Sequence, residues 1–130
     1  MKRNAIKPSK VHPPFADYSH AVLIQNHSSQ LLISGQLGVT LSGAIPDNLE
    51  EQAVLCFTAI EEILNSAGMT RDNTVKITTY LTHSDYLKPY MSIRDQWVKE
   101  INPRPASTLL IISGFSRPEF KIEIEATAVK

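Results

Sequence analysis

The stretch Lys121-Ile122-Glu123-Ile124-Glu125-Ala126 alternates strictly between polar and apolar residues. In a β-strand, side chains two positions apart share a face, so this stretch predicts a strand with one buried face. Glu123 and Glu125 then lie together on the polar face, roughly 7 Å apart. A carboxylate held on a rigid strand is a candidate site residue, although Glu-x-Glu on such a strand is also typical of a solvated face.

Other segments of strand character surround this one. The predicted final strand runs over 120–129, and Pro105-Ala106-Ser107 opens the strand before it, which ends at residue 112. Residues 74–81 are rich in β-branched side chains and alternate in the same way. These are the three C-terminal strands of the prediction.

Near the N-terminus, two short apolar runs cover residues 18–25 and 30–34. The intervening Asn26-His27-Ser28-Ser29 has the composition of a turn, so the two runs are predicted to pair as a hairpin. Residues 1–17 contain three prolines and are predicted to be an extended lead-in, followed by a single domain over 18–130.

Two helices are predicted between the strands. Asp47 and Glu50 resemble a capping box, apolar residues then recur at helical spacing, and Gly68 stands where a helix C-terminus requires a left-handed residue. The second helix begins near residues 84–88 and stops at Asn102-Pro103. Its apolar stripe consists of Tyr90, Ile93, Trp97 and Ile101.

The resulting order β-β-α-β-α-β-β predicts an α+β fold, a mixed sheet with both helices on one face. Two helices cover only one side of such a sheet. Oligomerisation is the simplest way to bury the other side.

Composition narrows the function classes. The chain has 130 residues, 13 basic and 13 acidic, and the basic residues form no run, which disfavours nucleic acid as a partner. No apolar window approaches the length of a membrane span or a signal segment, and the single cysteine suits a reducing compartment, so a cytoplasmic location is expected. No histidine spacing is typical of a metal site.

Five short motifs follow one another along the chain: Ser34-Gly35-Gln36, Ala67-Gly68, Val75-Lys76, Pro105-Ala106 and Ile122-Glu123-Ile124-Glu125-Ala126. In this order they resemble the Rid family, also called YjgF or L-PSP, from about residue 18 to residue 129. The resemblance implies a homotrimer with a chorismate-mutase-like fold and ligand clefts between subunits. It also implies an enamine or imine deaminase that needs neither metal nor organic cofactor.

Carried over by motif, the resemblance makes Glu123 the catalytic residue that positions or activates water. The expected substrate-binding residues are Tyr18, Ser34, Gly35, Gln36, Tyr90 and Ser107. Two of these depart from the family pattern. Tyr90 stands where an asparagine is often found, and Ser107 replaces the arginine of a Pro-Ala-Arg motif that binds the substrate carboxylate.

The loss of that arginine is chemically large, because a serine hydroxyl cannot reproduce a bidentate guanidinium fork. The altered site is expected to be poor or inactive on 2-imino acids, and the nearby Arg104 is expected to be a loop cation rather than a substitute. Three readings stay open: a deaminase-type hydrolase, a non-catalytic trimer that binds a small molecule, or a protein-interaction, chaperone-like or L-PSP-type endoribonuclease role.

Overall fold

The computed structural model describes residues 1–130 and contains six strands and two α-helices. In chain order the elements are β1 (Lys2–Ile6), β2 (Ala21–Gln25), β3 (Gln30–Leu37), α1 (Leu49–Ser66), β4 (Thr74–Leu81), α2 (Leu87–Val98), β5 (Ala106–Ile111) and β6 (Ile122–Val129). Short 3-10 turns, Arg71–Asn73 and Ser84–Tyr86, precede β4 and α2.

The alternating stretch at residues 121–126 lies at the centre of the main sheet. This sheet has the order β3-β6-β4-β5, in which β6 runs antiparallel to both of its neighbours and β5 runs parallel to β4. The predicted mixed α+β architecture is confirmed. Neither helix combines the length and hydrophobicity that a membrane crossing would require.

The N-terminal hairpin prediction is wrong. β2 pairs antiparallel with β1, from Lys2 opposite Gln25 to Ile6 opposite Ala21, and β3 pairs with β6. The turn between β2 and β3 explains the difference, because the N–H groups of Ser28 and Ser29 donate to the carbonyl of Lys130 rather than closing a hairpin. The lead-in therefore supplies a sixth strand that the sequence analysis did not predict.

Both helices pack on one face of the four-stranded sheet, as predicted. Ile122 and Ile124 of β6 alternate onto this face with 0% exposure and share a core cluster with Ile77 of β4, Ile60 of α1 and Val98 of α2. Asn48, rather than the predicted Asp47, caps α1 by accepting a hydrogen bond from the Glu51 amide at 2.7 Å. Gly68 follows the end of α1 in the left-handed conformation, with a φ of 69°, as the sequence indicates.

A buried amide connects the helix layer to two loops. Gln52 of α1 is 0% exposed, and its Nε2 donates to the carbonyls of Pro46 and Glu119 at 2.7 and 2.9 Å. Its Oε1 accepts the amide of Lys121 at 2.9 Å. This amide therefore fixes α1 against both the loop before it and the start of β6.

The opposite face of the sheet carries no helix. Leu32 of β3 is 73% exposed on this face. Polar side chains of the same face form hydrogen bonds with one another. The Tyr80 hydroxyl donates to Glu125 Oε1 at 2.7 Å, and Lys76 Nζ donates to Thr108 Oγ1 at 2.7 Å.

Candidate functional site

Glu123 lies at an irregularity between β3 and β6. The register of this strand pair shifts between Ile33 and Gln36, so Ser34 and Gly35 stand outside the regular ladder. A Cβ added to Gly35 would come within 1.8 Å of Glu123 Oε1 and 2.6 Å of its Cδ. Glycine at position 35 therefore leaves the space in which the Glu123 carboxylate lies.

The neighbours of Gly35 are partly exposed and polar. Ser34 is exposed, and Gln36 is half-buried and donates from Nε2 to the Ser34 carbonyl at 2.9 Å. The three residues predicted from the Ser-Gly-Gln motif are thus brought together with Glu123. We call this group of four residues the carboxylate cluster.

The surroundings of Glu123 make its carboxyl group harder to ionise than that of a free glutamate. Desolvation is the main cause that raises the pKa of its carboxyl group, and the negative charge of Glu125 adds to it. The two glutamates differ in their contacts. Glu125 accepts the Tyr80 hydroxyl, which raises the pKa of Tyr80, whereas Glu123 accepts no hydrogen bond from within the chain.

Two other predicted site residues, Tyr18 and Ser107, line a cavity of about 210 Å³. It lies between the N-terminal segment, α2 and β5, and six of its eight lining residues are hydrophobic. We call it the Tyr18 cavity. It is lined by Phe15, Ala16, Tyr18, Leu87, Met91, Arg94, Ser107 and Leu109.

Tyr18 reaches this cavity because its neighbours are fixed to the residues that precede β5. The Ser19 amide donates to the Pro105 carbonyl at 3.1 Å, and the Ser19 hydroxyl donates to the Arg104 carbonyl at 2.6 Å. Arg104 in turn donates from Nε to Asp17 Oδ2 at 2.9 Å and from Nη1 to the Ile101 carbonyl. Arg104 is therefore bound outside the cavity and holds the segment that carries Tyr18.

The sequence analysis missed Arg94, which is the cation of the Tyr18 cavity. Only 4% exposed, it lies on α2, and its Nη1 is 3.4 Å from the Ser107 hydroxyl on β5. Its Nε and Nη2 donate to Asp95 Oδ1 at 3.2 and 3.0 Å. A signal existed in the sequence, since position 94 falls four residues after Tyr90 and three before Trp97, on the apolar stripe of the helix.

Tyr90 requires a correction. It was predicted to bind substrate, but it is 1% exposed and stacks on Phe57 inside the core. Its hydroxyl hydrogen-bonds with the Thr79 hydroxyl, and burial raises its pKa to about 12. The hydroxyl is thus satisfied by the sheet and does not line the Tyr18 cavity.

Within one chain the two groups of residues are separate. Glu123 alternates with core residues and points to the helix-free face, whereas Ser107 pairs with Ile77 on the helix-covered face. None of the four residues of the carboxylate cluster lines the Tyr18 cavity. The structure therefore brings Tyr18 to Ser107 and Gly35 to Glu123, but it does not bring these pairs together.

The structure shows no cluster of metal-ligating side chains, and its one thiol is buried. The chain contains no group of three or more His, Cys, Asp or Glu side chains able to hold a metal ion. The single cysteine, Cys56, is 0% exposed, and burial raises the pKa of its thiol to about 12. A thiol in this environment is a packing residue, not a nucleophile.

Comparisons with known proteins agree with the motifs. Residues 9–130 match the family model described as Endoribonuclease L-PSP. A RutC family protein of Aquifex aeolicus is 32% identical over 126 residues, which cover 96% of this chain and 98% of the relative. The 2-iminobutanoate/2-iminopropanoate deaminase of Bos taurus is 30% identical over 133 residues, covering 100% of this chain and 92% of the bovine protein.

Similarity to solved structures also extends over the whole chain. YyfB of Yersinia pestis, described as a protein of unknown function of the conserved Rid protein family, has a TM-score of 0.87 and 28% identity, with 100% coverage of both chains. Rv2704 of Mycobacterium tuberculosis, described as a member of the YjgF/YER057c/UK114 family, has a TM-score of 0.71 and 22% identity, with 99% and 100% coverage. The second likeness, at its lower identity, supports the fold alone.

Proposed function

The chain belongs to the Endoribonuclease L-PSP family, also known as the Rid or YjgF family, and on this premise we propose that it is a cofactor-free hydrolase of the enamine and imine deaminase type. Its active site, in this proposal, is altered at the carboxylate-binding position. The observation that carries the proposal is the Glu123 carboxylate, which lies over Gly35, has no hydrogen-bond partner in the chain and has a raised pKa.

A carboxylate in this state is suited to proton transfer. General bases act best when their pKa lies near the working pH, and desolvation moves Glu123 in that direction. In the proposed reaction Glu123 takes a proton from water while the oxygen bonds to the imine carbon. Glu123 passes this proton to the imine nitrogen and then transfers the proton of the new hydroxyl to the same nitrogen, so that the carbon–nitrogen bond breaks and a carbonyl product and ammonia leave.

The replacement of the motif arginine by Ser107 sets the proposed substrate range. Loss of one partner of a buried charge pair weakens binding by about 2–5 kcal/mol. We therefore expect hydrolysis of the smallest 2-imino acids, such as 2-iminobutanoate, to be close to the uncatalysed rate. Imines that are larger or lack a free carboxylate are the proposed substrates.

Assembly completes the proposed site. Glu123 and the Tyr18 cavity face opposite sides of the sheet, so a second copy of the chain is needed to place a cavity beside a carboxylate. A homotrimer that buries the helix-free face supplies this arrangement, with the ligand in a cleft between subunits and a cytoplasmic location for the assembly. Residues 18–130 form the proposed Rid-like domain, with 1–17 as its lead-in.

Hydrolysis of imines made in situ tests the proposal, with an amino acid oxidase to supply 2-imino acids, an amine oxidase to supply imines without a carboxylate, and semicarbazide as a competing trap. Glu123→Gln should reduce the acceleration of the best substrate about 100-fold or more, the usual contribution of a positioned acid or base. Glu125→Gln is the matched control, because it removes the same charge from the same strand face and should retain most activity. Equal rates in wild type and Glu123→Gln across the imine panel contradict the proposal.

A second candidate is a trimer that binds a small molecule without turning it over. The separation of Glu123 from the Tyr18 cavity within one chain favours it, since binding needs only the cavity. Calorimetric binding without hydrolysis of any imine in the panel would identify this function. The endoribonuclease description of the family is not adopted, because 13 basic residues balanced by 13 acidic ones form no basic run for phosphate contacts.

A further inference from the structure

The buried guanidinium of Arg94 lies next to Ser107, the residue at the position of the missing motif arginine. Arg94 comes from α2, and its Nη1 lies 3.4 Å from the hydroxyl of Ser107 on β5. We propose that Arg94 is the anion-binding residue of the Tyr18 cavity and that it holds the carboxylate of a small ligand together with Ser107. This proposal deepens the proposed function, on which its choice of substrate class rests.

The hydrogen bonds of Arg94 leave capacity for a ligand. A guanidinium has five N–H donors, and the structure assigns three of them, two to Asp95 Oδ1 and one to Ser107. Two donors of a side chain that is only 4% exposed therefore have no partner, while the residue lines the Tyr18 cavity. A ligand carboxylate is an acceptor that fits such a pair of donors.

The cavity lining contains the cation Arg94 and no carboxylate. Asp95 is the only carboxylate in contact with Arg94, and its side chain is 44% exposed, so water shares its charge. The other ionisable group that interacts with Arg94 is the hydroxyl of Tyr90. Burial raises the pKa of this hydroxyl, and the positive charge of Arg94 partly offsets that rise. Asp95 neutralises part of the charge of Arg94 from outside the cavity, because it is not among the lining residues.

The walls of the cavity indicate the rest of the ligand. Phe15, Leu87, Met91 and Leu109 give it apolar sides, and the hydroxyls of Tyr18 and Ser107 are its other polar groups. The volume of about 210 Å³ is below the range of drug-sized sites and suits a small metabolite. The ligand class is a small carboxylate with a branched or aromatic apolar side chain.

Calorimetric titration of the full chain with 4-methyl-2-oxopentanoate tests the proposal, and 4-methylpentanamide serves as the uncharged probe. Wild type should bind the carboxylate in preference to the amide. Arg94→Met should weaken carboxylate binding about 30-fold or more, the usual effect of losing one partner of a buried charge pair, and should abolish the preference. Arg117→Met is the control, because it removes the same charge from a residue that is 59% exposed and outside the cavity.

A measurement on wild type covers the case in which Arg94→Met does not fold. The chain has five arginines, and the Nε resonances of Arg3, Arg71, Arg104 and Arg117 can be assigned by substitution, leaving Arg94. Titration with 4-methyl-2-oxopentanoate should shift the Arg94 resonance. A folded Arg94→Met protein that binds the carboxylate within threefold of wild type, or an unshifted Arg94 resonance at saturation, overturns the proposal.

Binding and hydrolysis separate this proposal from the proposed function. Carboxylate binding that depends on Arg94, in a protein that hydrolyses no imine, supports the anchor and removes the deaminase activity. Hydrolysis that depends on Glu123 but is unchanged in Arg94→Met supports the deaminase activity and removes the anchor.

Discussion

Gly38, directly after β3, lies so close to α1 that a side chain at this position should destabilise the protein. A Cβ at Gly38 would lie 2.3 Å from Gln52 Cβ and 2.6 Å from Gln52 Cα, whereas packed carbon atoms lie about 3.5–4.0 Å apart. In Gly38→Ala, α1 must therefore move by about 1 Å. Overpacking of this kind costs about 1–3 kcal/mol, and strain on the three hydrogen bonds of Gln52 adds about 1 kcal/mol for each one lost.

We expect Gly38→Ala to lower the free energy of unfolding by about 2–5 kcal/mol, measured by urea denaturation at one fixed protein concentration. Gly35→Ala is the matched control, because its methyl meets the flexible end of Glu123 instead of a helix backbone. Turning that side chain into a strained rotamer costs about 0.5–1.5 kcal/mol. A free energy of unfolding of Gly38→Ala within about 0.5 kcal/mol of wild type would contradict this prediction, and so would an equal destabilisation by Gly35→Ala.

Three further outcomes follow from the site and the sheet. Sedimentation equilibrium at micromolar concentration should give a trimer, because the helix-free face is otherwise left in water, and a stable monomer contradicts this. Glu123→Gln should melt at a higher temperature than wild type at pH 7, and the difference should shrink below pH 4.5. The sign follows from the raised pKa of Glu123: its stabilising contribution is present below the unfolded pKa and is lost as pH rises through the folded pKa, so the ionised carboxylate destabilises wild type at neutral pH. A lower melting temperature of the variant at pH 7 would reverse that assignment. Arg94→Ser combined with Ser107→Arg should bind 2-ketobutyrate less tightly in calorimetry than Ser107→Arg alone, because a carboxylate binds more tightly where two guanidinium groups lie together; equal affinities would show that Arg94 does not contact the ligand.

The elements that could be predicted from the sequence are those whose signal is local. The alternation around Glu123 is a property of one strand, and the β4 prediction of 74–81 agrees with the observed Thr74–Leu81 for the same reason. The α1 helix could be predicted because its apolar spacing lies within the helix and Gly68 follows directly after its C-cap residue. Such patterns need no knowledge of the partner on which the buried face packs.

The failures concern contacts between distant residues. The hairpin prediction failed because hydrogen bonds from Ser28 and Ser29 to Lys130 decide the turn, and no local pattern shows that the chain end lies beside residue 28. Arg94 was missed because a charged residue on an apolar helix face has no evident role in the sequence alone. Its role depends on β5, which places the hydroxyl of Ser107 beside it. Tyr90 was misplaced because motif position alone does not tell a cavity from a core.

The attachment of Ser19 to the residues before β5 has a consequence for how this chain can diverge. One wall of the Tyr18 cavity comes from the first twenty residues, and it is held by polar contacts to Arg104 and Pro105, not by the core under α1. The catalytic carboxylate proposed here belongs to a different strand. Ligand preference can therefore drift through insertions and substitutions near the N-terminus, while β6 and the helix layer keep their sequence and the chemistry attached to them.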